Sequence, residues 1–253
     1  MYKKLLVIAV MIFFAATIFS ATSLAHAAVE PGSFEEQAAK FKWAAVPQPQ
    51  LPNVLLIGDS ISIGYTLDVR ELLKDKANVY RPIKAQGKLP DNAGDTAKGL
   101  RQLEHWLSSQ NVKKWDVIHF NWGLHDLKRI TNGKGIKSND PSQPSALSIE
   151  QYAKNLNAIV KRLKQTGAVI IFATTTPYPA GVTPSRIPED AQKYNQAAMN
   201  IMTKHNVAIN DLYTAIKPNL SEYQRPLNVH FNKQGSKFLA TKVSDAIKQH
   251  LPH

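Results

Sequence analysis

The stretch Val54-Leu55-Leu56-Ile57-Gly58-Asp59-Ser60-Ile61-Ser62 holds the first residue whose type and position suit covalent chemistry. Four apolar residues, too few for a helix and followed at once by Gly-Asp-Ser, read as a buried parallel strand that breaks into a tight turn. Such a turn holds the Ser60 hydroxyl clear of the chain, with backbone N–H groups nearby to receive an oxyanion, which is what a nucleophilic serine requires. The G-x-S-x-G elbow of the α/β-hydrolases would need a second glycine at 62, where this chain has Ser62. By itself Gly-Asp-Ser is a common way to end a strand. His119, His125 and Asp126 invite a metal reading, but His119 lies within a strand and His125 beyond a turn. His230 stands just before the last helix, where an isolated histidine would be a surface residue, and His105, His205 and His250 fall among polar residues on helices or at their ends.

The elements that must position these residues follow in order. The segment Leu67 to Lys74 reads as a short helix and Val79-Tyr80 as a second strand. Thr96 is placed to cap a helix whose Leu100, Leu103, Trp106 and Leu107 share a face. Val117 to Phe120 is a third strand, and residues 131–147, poor in apolar side chains, form a long loop. Ser148 and Gln151 make a capping box for a helix carrying Ile149, Tyr152, Leu156, Ile159, Val160 and Leu163, with Gly167 as its stop. A fourth strand spans 168–172, a loop 174–188, a helix 189–204, a fifth strand 207–209, a helical turn 212–216, a loop 217–229 and a final helix 233–250 with Phe238, Leu239, Val243 and Ile247 inward. Alternating strands and helices imply an α/β fold, a five-stranded parallel sheet with helices on both faces. Right-handed crossovers then bring residues 58–62, 91–96, 121–147 and 174–188 to the carboxyl edge, where ligands bind in such folds.

Lys3 and Lys4, an apolar run from Leu5 to about Phe19 and the closing Ala25-His26-Ala27 have the layout of a secretory signal peptide cleaved near Ala27. The apolar run is short for an uncleaved anchor, which needs roughly 20 residues. Residues 28–52 are a proline-rich lead-in, and 53–253 the domain. The chain has no cysteine, so an exported product relies on its core rather than on disulfides. The net charge of +12 becomes +10 without Lys3 and Lys4, a surplus that suits contact with an anionic cell envelope or simple solubility. No basic run is interleaved with aromatics, which argues against nucleic acid.

Taken together, these blocks resemble the SGNH hydrolases, the GDSL-type esterase and lipase superfamily, over roughly residues 53–245. The resemblance implies a three-layer flavodoxin-like fold and an exported serine esterase acting on acyl or acetyl esters of small molecules or polymers without a cofactor. It implies Ser60 as nucleophile and His230, in Val229-His230-Phe231-Asn232, as general base. It gives an oxyanion hole from the N–H groups of Ser60 and of Gly94, in Asn92-Ala93-Gly94-Asp95-Thr96, with Asp59 and Asn92 in support. Two departures stand out. Block three, usually Gly-x-Asn-Asp, reads Gly123-Leu124-His125-Asp126, so His125 would supply the third donor from a ring nitrogen. The aspartate expected three residues before the histidine is Leu227, so His230 must be oriented by Asn228, by a backbone carbonyl or by a carboxylate such as Asp126. Replacing Leu227 with Asp would then raise turnover if that residue faces His230. Trp122 and Tyr178 either line the substrate pocket or pack in the core. The competing functions are a non-catalytic binding protein on the same fold and a metal-dependent hydrolase built on His125 and Asp126.

Overall fold

The computed structural model describes Trp43, Ala45 and residues 47–84, 89–131 and 135–252; the leader and most of the lead-in lie outside these residues. Five strands, β1 (Asn53–Ile57), β2 (Asn78–Tyr80), β3 (Val117–Phe120), β4 (Val169–Ala173) and β5 (Ala208–Asn210), form one parallel sheet in the order β2-β1-β3-β4-β5. This is the flavodoxin-like order, whose chain reversal falls between β1 and β3. Seven α-helices accompany the strands among the described residues: α1 (Ser60–Leu72), α2 (Thr96–Ser108), α3 (Ile149–Lys164), α4 (Pro188–Lys204), α5 (Leu212–Ile216), α6 (Leu220–Tyr223) and α7 (Lys233–Lys248). Helix α1 packs on α7, α2 on α3, and α3 on α4.

The central strands are apolar on both faces because both are covered, so Val54 to Ile57 and Ile170 to Ala173 are buried without alternation. Phe120 and Phe172, at matched register on β3 and β4, meet at 5.5 Å between ring centroids. Trp106 of α2 stacks on Trp122 at 6.4 Å, closing the layer beside the site.

The structure differs from the sequence reading in several boundaries. Helix α1 starts seven residues before Leu67, at Ser60 itself, because the Asp59 side chain accepts from the Ile61 N–H and caps it. Helix α2 is capped by Asp95, whose carboxylate receives the Lys98 N–H; Thr96 is its first residue and bonds elsewhere. Leu100 lies off the buried face, and α7 ends at Lys248. The expected loop 217–229 contains a 3₁₀ turn and α6, and β5 runs one residue later than read. Ser148 does cap α3 through the Gln151 N–H, while the Gln151 side chain turns to Asn155.

Phe172→Ala should therefore destabilise the fold by about 3–5 kcal/mol, since it opens a void between the sheet and its aromatic neighbour. Leu100→Ser, at a position 42% exposed, should stay within about 0.5 kcal/mol of the parent. Urea denaturation of both proteins checks the contrast, which a similar loss for the two would contradict.

Candidate active site

Helix α1 begins at the carboxyl end of β1, so Ser60 occupies the first helical position and its backbone N–H has no partner within the helix. The helix N-terminus also favours negative charge at that point. The turn is tight: a Cβ on Gly58 would come within 2.8 Å of Ser62 Oγ, so only glycine fits. Asp59 is buried, and desolvation pushes its carboxyl above the ordinary range although the Ile61 N–H opposes this.

His230 arrives from a distant part of the chain. Gln224 and Phe231 pair as an antiparallel bridge, Arg225 N–H donates to the His230 carbonyl at 3.0 Å, and the buried Phe231 anchors the loop. Gln224 Nε2 donates to the Pro177 carbonyl at 2.8 Å, which fixes this loop to the 174–188 segment. The result places His230 Nε2 2.8 Å from Ser60 Oγ.

The other ring nitrogen answers the question of orientation. Asn228 Oδ1 accepts from His230 Nδ1 at 2.7 Å and from the His230 backbone N–H at 3.0 Å. Because a backbone N–H can only donate, the oxygen of the Asn228 amide must face it, and the same oxygen then requires hydrogen on Nδ1. Nε2 is left bare to accept the Ser60 hydroxyl. Burial, with the charges of Arg225 and Arg186, holds the His230 pKa below its ordinary 6.5, so the ring is neutral at neutral pH. Leu227 is 68% exposed and takes a left-handed backbone, φ 50°, with its side chain beside Gly181. Of the orienting groups offered by the sequence it is Asn228 that meets the imidazole, and Leu227, the position considered for a carboxylate, is largely exposed to solvent.

Asp126 is also not the partner of His230. Its Oδ1 receives the Thr96 N–H at 2.9 Å and the Thr96 hydroxyl, and its buried Oδ2 has no partner. Desolvation raises its pKa to about 7. This carboxyl ties block three to the start of α2. Among the described residues no three His, Asp or Glu side chains gather as a metal set, and the His119 Nε2 is met by Asn210 Nδ2 at 3.2 Å. With Asp126 committed to Thr96, the metal reading of His125 and Asp126 loses its carboxylate.

The oxyanion candidates are brought to the same edge. The Ala93 N–H donates to the Gly58 carbonyl at 3.0 Å, joining blocks one and two. Gly94 has φ 64° and its N–H is held by Asn92 Oδ1 at 2.9 Å, so an oxyanion there must share or take over that hydrogen. His125 is half-buried, and desolvation with the nearby cations Lys128, Arg186 and Lys137 lowers its pKa to about 3. It is a neutral imidazole at neutral pH, able to donate one N–H. Gly123, at φ 145°, passes so close to Thr175 that a Cβ would lie 2.2 Å from Oγ1. Trp122 is fully buried and Tyr178 nearly so, its hydroxyl bonded to the Ile187 carbonyl; both are packing residues.

Two arginines escaped the sequence reading. Arg81, fully buried, donates to Thr66 Oγ1 at 2.7 Å, to the Asp91 carbonyl at 3.0 Å and to the Gly58 carbonyl at 3.4 Å. Arg186 donates from Nε to the Leu124 carbonyl at 2.9 Å, holding block three against the 174–188 loop. Neither sits in a pattern that sets it apart from a surface arginine.

The chain matches the model of the GDSL-like lipase/acylhydrolase family over residues 56–238. No curated protein matches the sequence. Its fold is similar to that of a lipase/acylhydrolase from Enterococcus faecalis, with a TM-score of 0.62 and 19% identity over 80% of this chain and 98% of that one. It is similar also to the acetyl xylan esterase AlAXEase (TM-score 0.59, 18% identity, 77% of this chain and 99% of that one). A third is Axe2, an acetylxylan esterase from Geobacillus stearothermophilus (TM-score 0.59, 17% identity, 78% and 94%). The match extends from β1 into the last helix and takes in the Gly58-Asp59-Ser60 turn, both long loops and His230, so the chain belongs to the GDSL-like lipase/acylhydrolase family and is an ester-hydrolysing enzyme.

Proposed function

We propose that the protein is an exported serine esterase that cleaves acyl or acetyl esters through a Ser60 acyl-enzyme. The observation that carries this reading is the continuous chain Ser60 Oγ, His230 Nε2, His230 Nδ1, Asn228 Oδ1, with steps of 2.8 and 2.7 Å. His230 takes the hydroxyl proton as Ser60 attacks the ester carbonyl, and the Asn228 carbonyl oxygen steadies the resulting imidazolium. The imidazolium returns that proton to the leaving alkoxide. Water then repeats the sequence on the acyl-enzyme and releases the acid. The negative oxygen of each tetrahedral intermediate would be met by the Ser60 N–H at the α1 terminus, the Gly94 N–H and the His125 ring. Acetyl groups on carbohydrate fit the two acetylxylan esterases of like fold. Export rests on the leader-like residues 1–27.

A fluorophosphonate should label the protein at Ser60, and Ser60→Ala should abolish both labelling and hydrolysis of a short aryl acetate. Retained turnover would remove Ser60 as the nucleophile.

Asn228→Ala should lower kcat by about ten- to a hundredfold, the equivalent of roughly 1.5–3 kcal/mol for a hydrogen bond to a charged group. The wild-type acid limb of kcat/KM should lie below pH 6.5, because burial favours neutral His230 and activity is lost only as the ring gains its proton. Asn228→Asp should move that limb upward, since a carboxylate favours imidazolium. A pH profile that is the same for all three proteins would separate Asn228 from the imidazole.

His125→Ala should cost about a hundred- to a thousandfold in kcat with a smaller change in KM, as for loss of an oxyanion donor, and His125→Asn should restore much of it. Near-wild-type rates for both variants would place His125 outside the oxyanion hole.

A further inference from the structure

An open groove of about 280 Å³ runs away from Ser60 on the His230 flank. Gly64 and Asp68 of α1 form one wall, and Arg225, Phe231, Lys233 and Ser236 form the other. The oxyanion candidates Gly94 and His125 are not part of its lining, so the groove lies on the side of the base. That distinction assigns it a role. In ester cleavage the protonated base must deliver its proton to the leaving oxygen, so the alcohol portion departs on the imidazole side while the carbonyl oxygen faces the oxyanion donors.

The groove is poorly suited to a long hydrocarbon chain, because Asp68, Arg225, Asn232, Lys233 and Ser236 make much of its lining polar. Its charge is biased. The side chains of Arg225 and Lys233 are exposed and make neither an ion pair nor a hydrogen bond among the described residues. Arg225 is close enough for its charge to depress His230, and buried Arg186, also outside every ion pair among the described residues, adds to the same field. Asp68 is the groove's one acid. Two exposed cations and a hydroxyl beside the leaving group form a receptor for negative charge.

Resting on the serine esterase reading above, we propose that this groove seats the leaving alcohol and selects esters whose alcohol portion carries an anionic group, such as a carboxylate. The anion is met by Arg225 and Lys233 before cleavage.

The test uses the mature protein with three aryl acetates of like size: 4-acetoxybenzoate (anionic), its methyl ester at the carboxyl (neutral) and 4-acetoxyphenyltrimethylammonium (cationic). The neutral methyl ester has the better leaving group of the first two, so intrinsic reactivity works against the expected result. The ratio of kcat/KM for the anionic over the neutral acetate should be about tenfold, the cationic acetate should be the poorest of the three, and added salt should shrink the differences. Arg225→Gln with Lys233→Gln should bring the ratio to about one, whereas Asp68→Asn should raise it. Equal values for the three substrates, or a ratio untouched by the double substitution, would overturn the proposal while hydrolysis of the neutral acetate left the Ser60 mechanism standing. Absence of hydrolysis of any acetate would sink both.

Discussion

Where the parallel strands end, their backbone polar groups leave the sheet ladder while still buried, and each must find a new partner. The partners it finds are what assemble the site. The Gly58 carbonyl takes the Ala93 N–H and a guanidinium nitrogen of Arg81, so the nucleophile turn and the Gly94 loop are fixed to each other. The Trp122 carbonyl takes the hydroxyls of Tyr152 and Thr175, which sets the strand-to-loop bend before His125. The Ala173 carbonyl takes Asn121 Nδ2, and the Leu124 carbonyl takes Arg186 Nε. The geometry of the candidate site at this edge is thus a by-product of satisfying buried backbone groups.

This explains which parts of the protein were legible in its sequence. The strands were, because a sheet covered on both faces demands unbroken apolar runs such as Val54 to Ile57, and so was α3, whose apolar spacing and Ser148 cap leave little choice. Ser60 stood out by its place after an apolar strand, whereas Gly94, His125 and His230 were named through the resemblance to the SGNH hydrolases. The start of α1 was hidden because Asp59 and Ser60 were read as turn residues, although Asp59 is an N-cap and Ile61, Tyr65 and Val69 already repeat at helical spacing. The cap of α2 was misplaced by one residue because Asp95 and Thr96 are both good caps, and only the tertiary bond from Thr96 to Asp126 decides between them. Bonds that span the chain, such as Arg81 to Gly58, leave no local pattern at all.

Buried charge follows the same logic. Among the described residues Arg81 has no carboxylate at bonding distance; it is dispersed over carbonyls and hydroxyls, and desolvation lowers its pKa to about 10. A guanidinium tolerates this because it offers five donors in a plane and stays charged well above neutral pH. Asp126 meets burial in the opposite way, with a pKa raised toward neutrality and one oxygen left without a partner. The contrast with Arg129 and Asp190 is direct, since those two pair at 2.7 Å.

The use of an amide rather than a carboxylate beside His230 fits this economy. A carboxylate at position 228 would stabilise the imidazolium and raise the pKa of His230, so that more of the ring would be protonated at neutral pH. The neutral Asn228 oxygen orients the ring and fixes its tautomer without that cost, because the His230 backbone N–H holds the amide the right way round. Desolvation and the two arginines then favour the unprotonated ring, whose Nε2 lies 2.8 Å from Ser60 Oγ. Of those two cations Arg225 also lines the groove beside Ser60, so one charge both disfavours the imidazolium and sets the polarity of the groove that His230 faces.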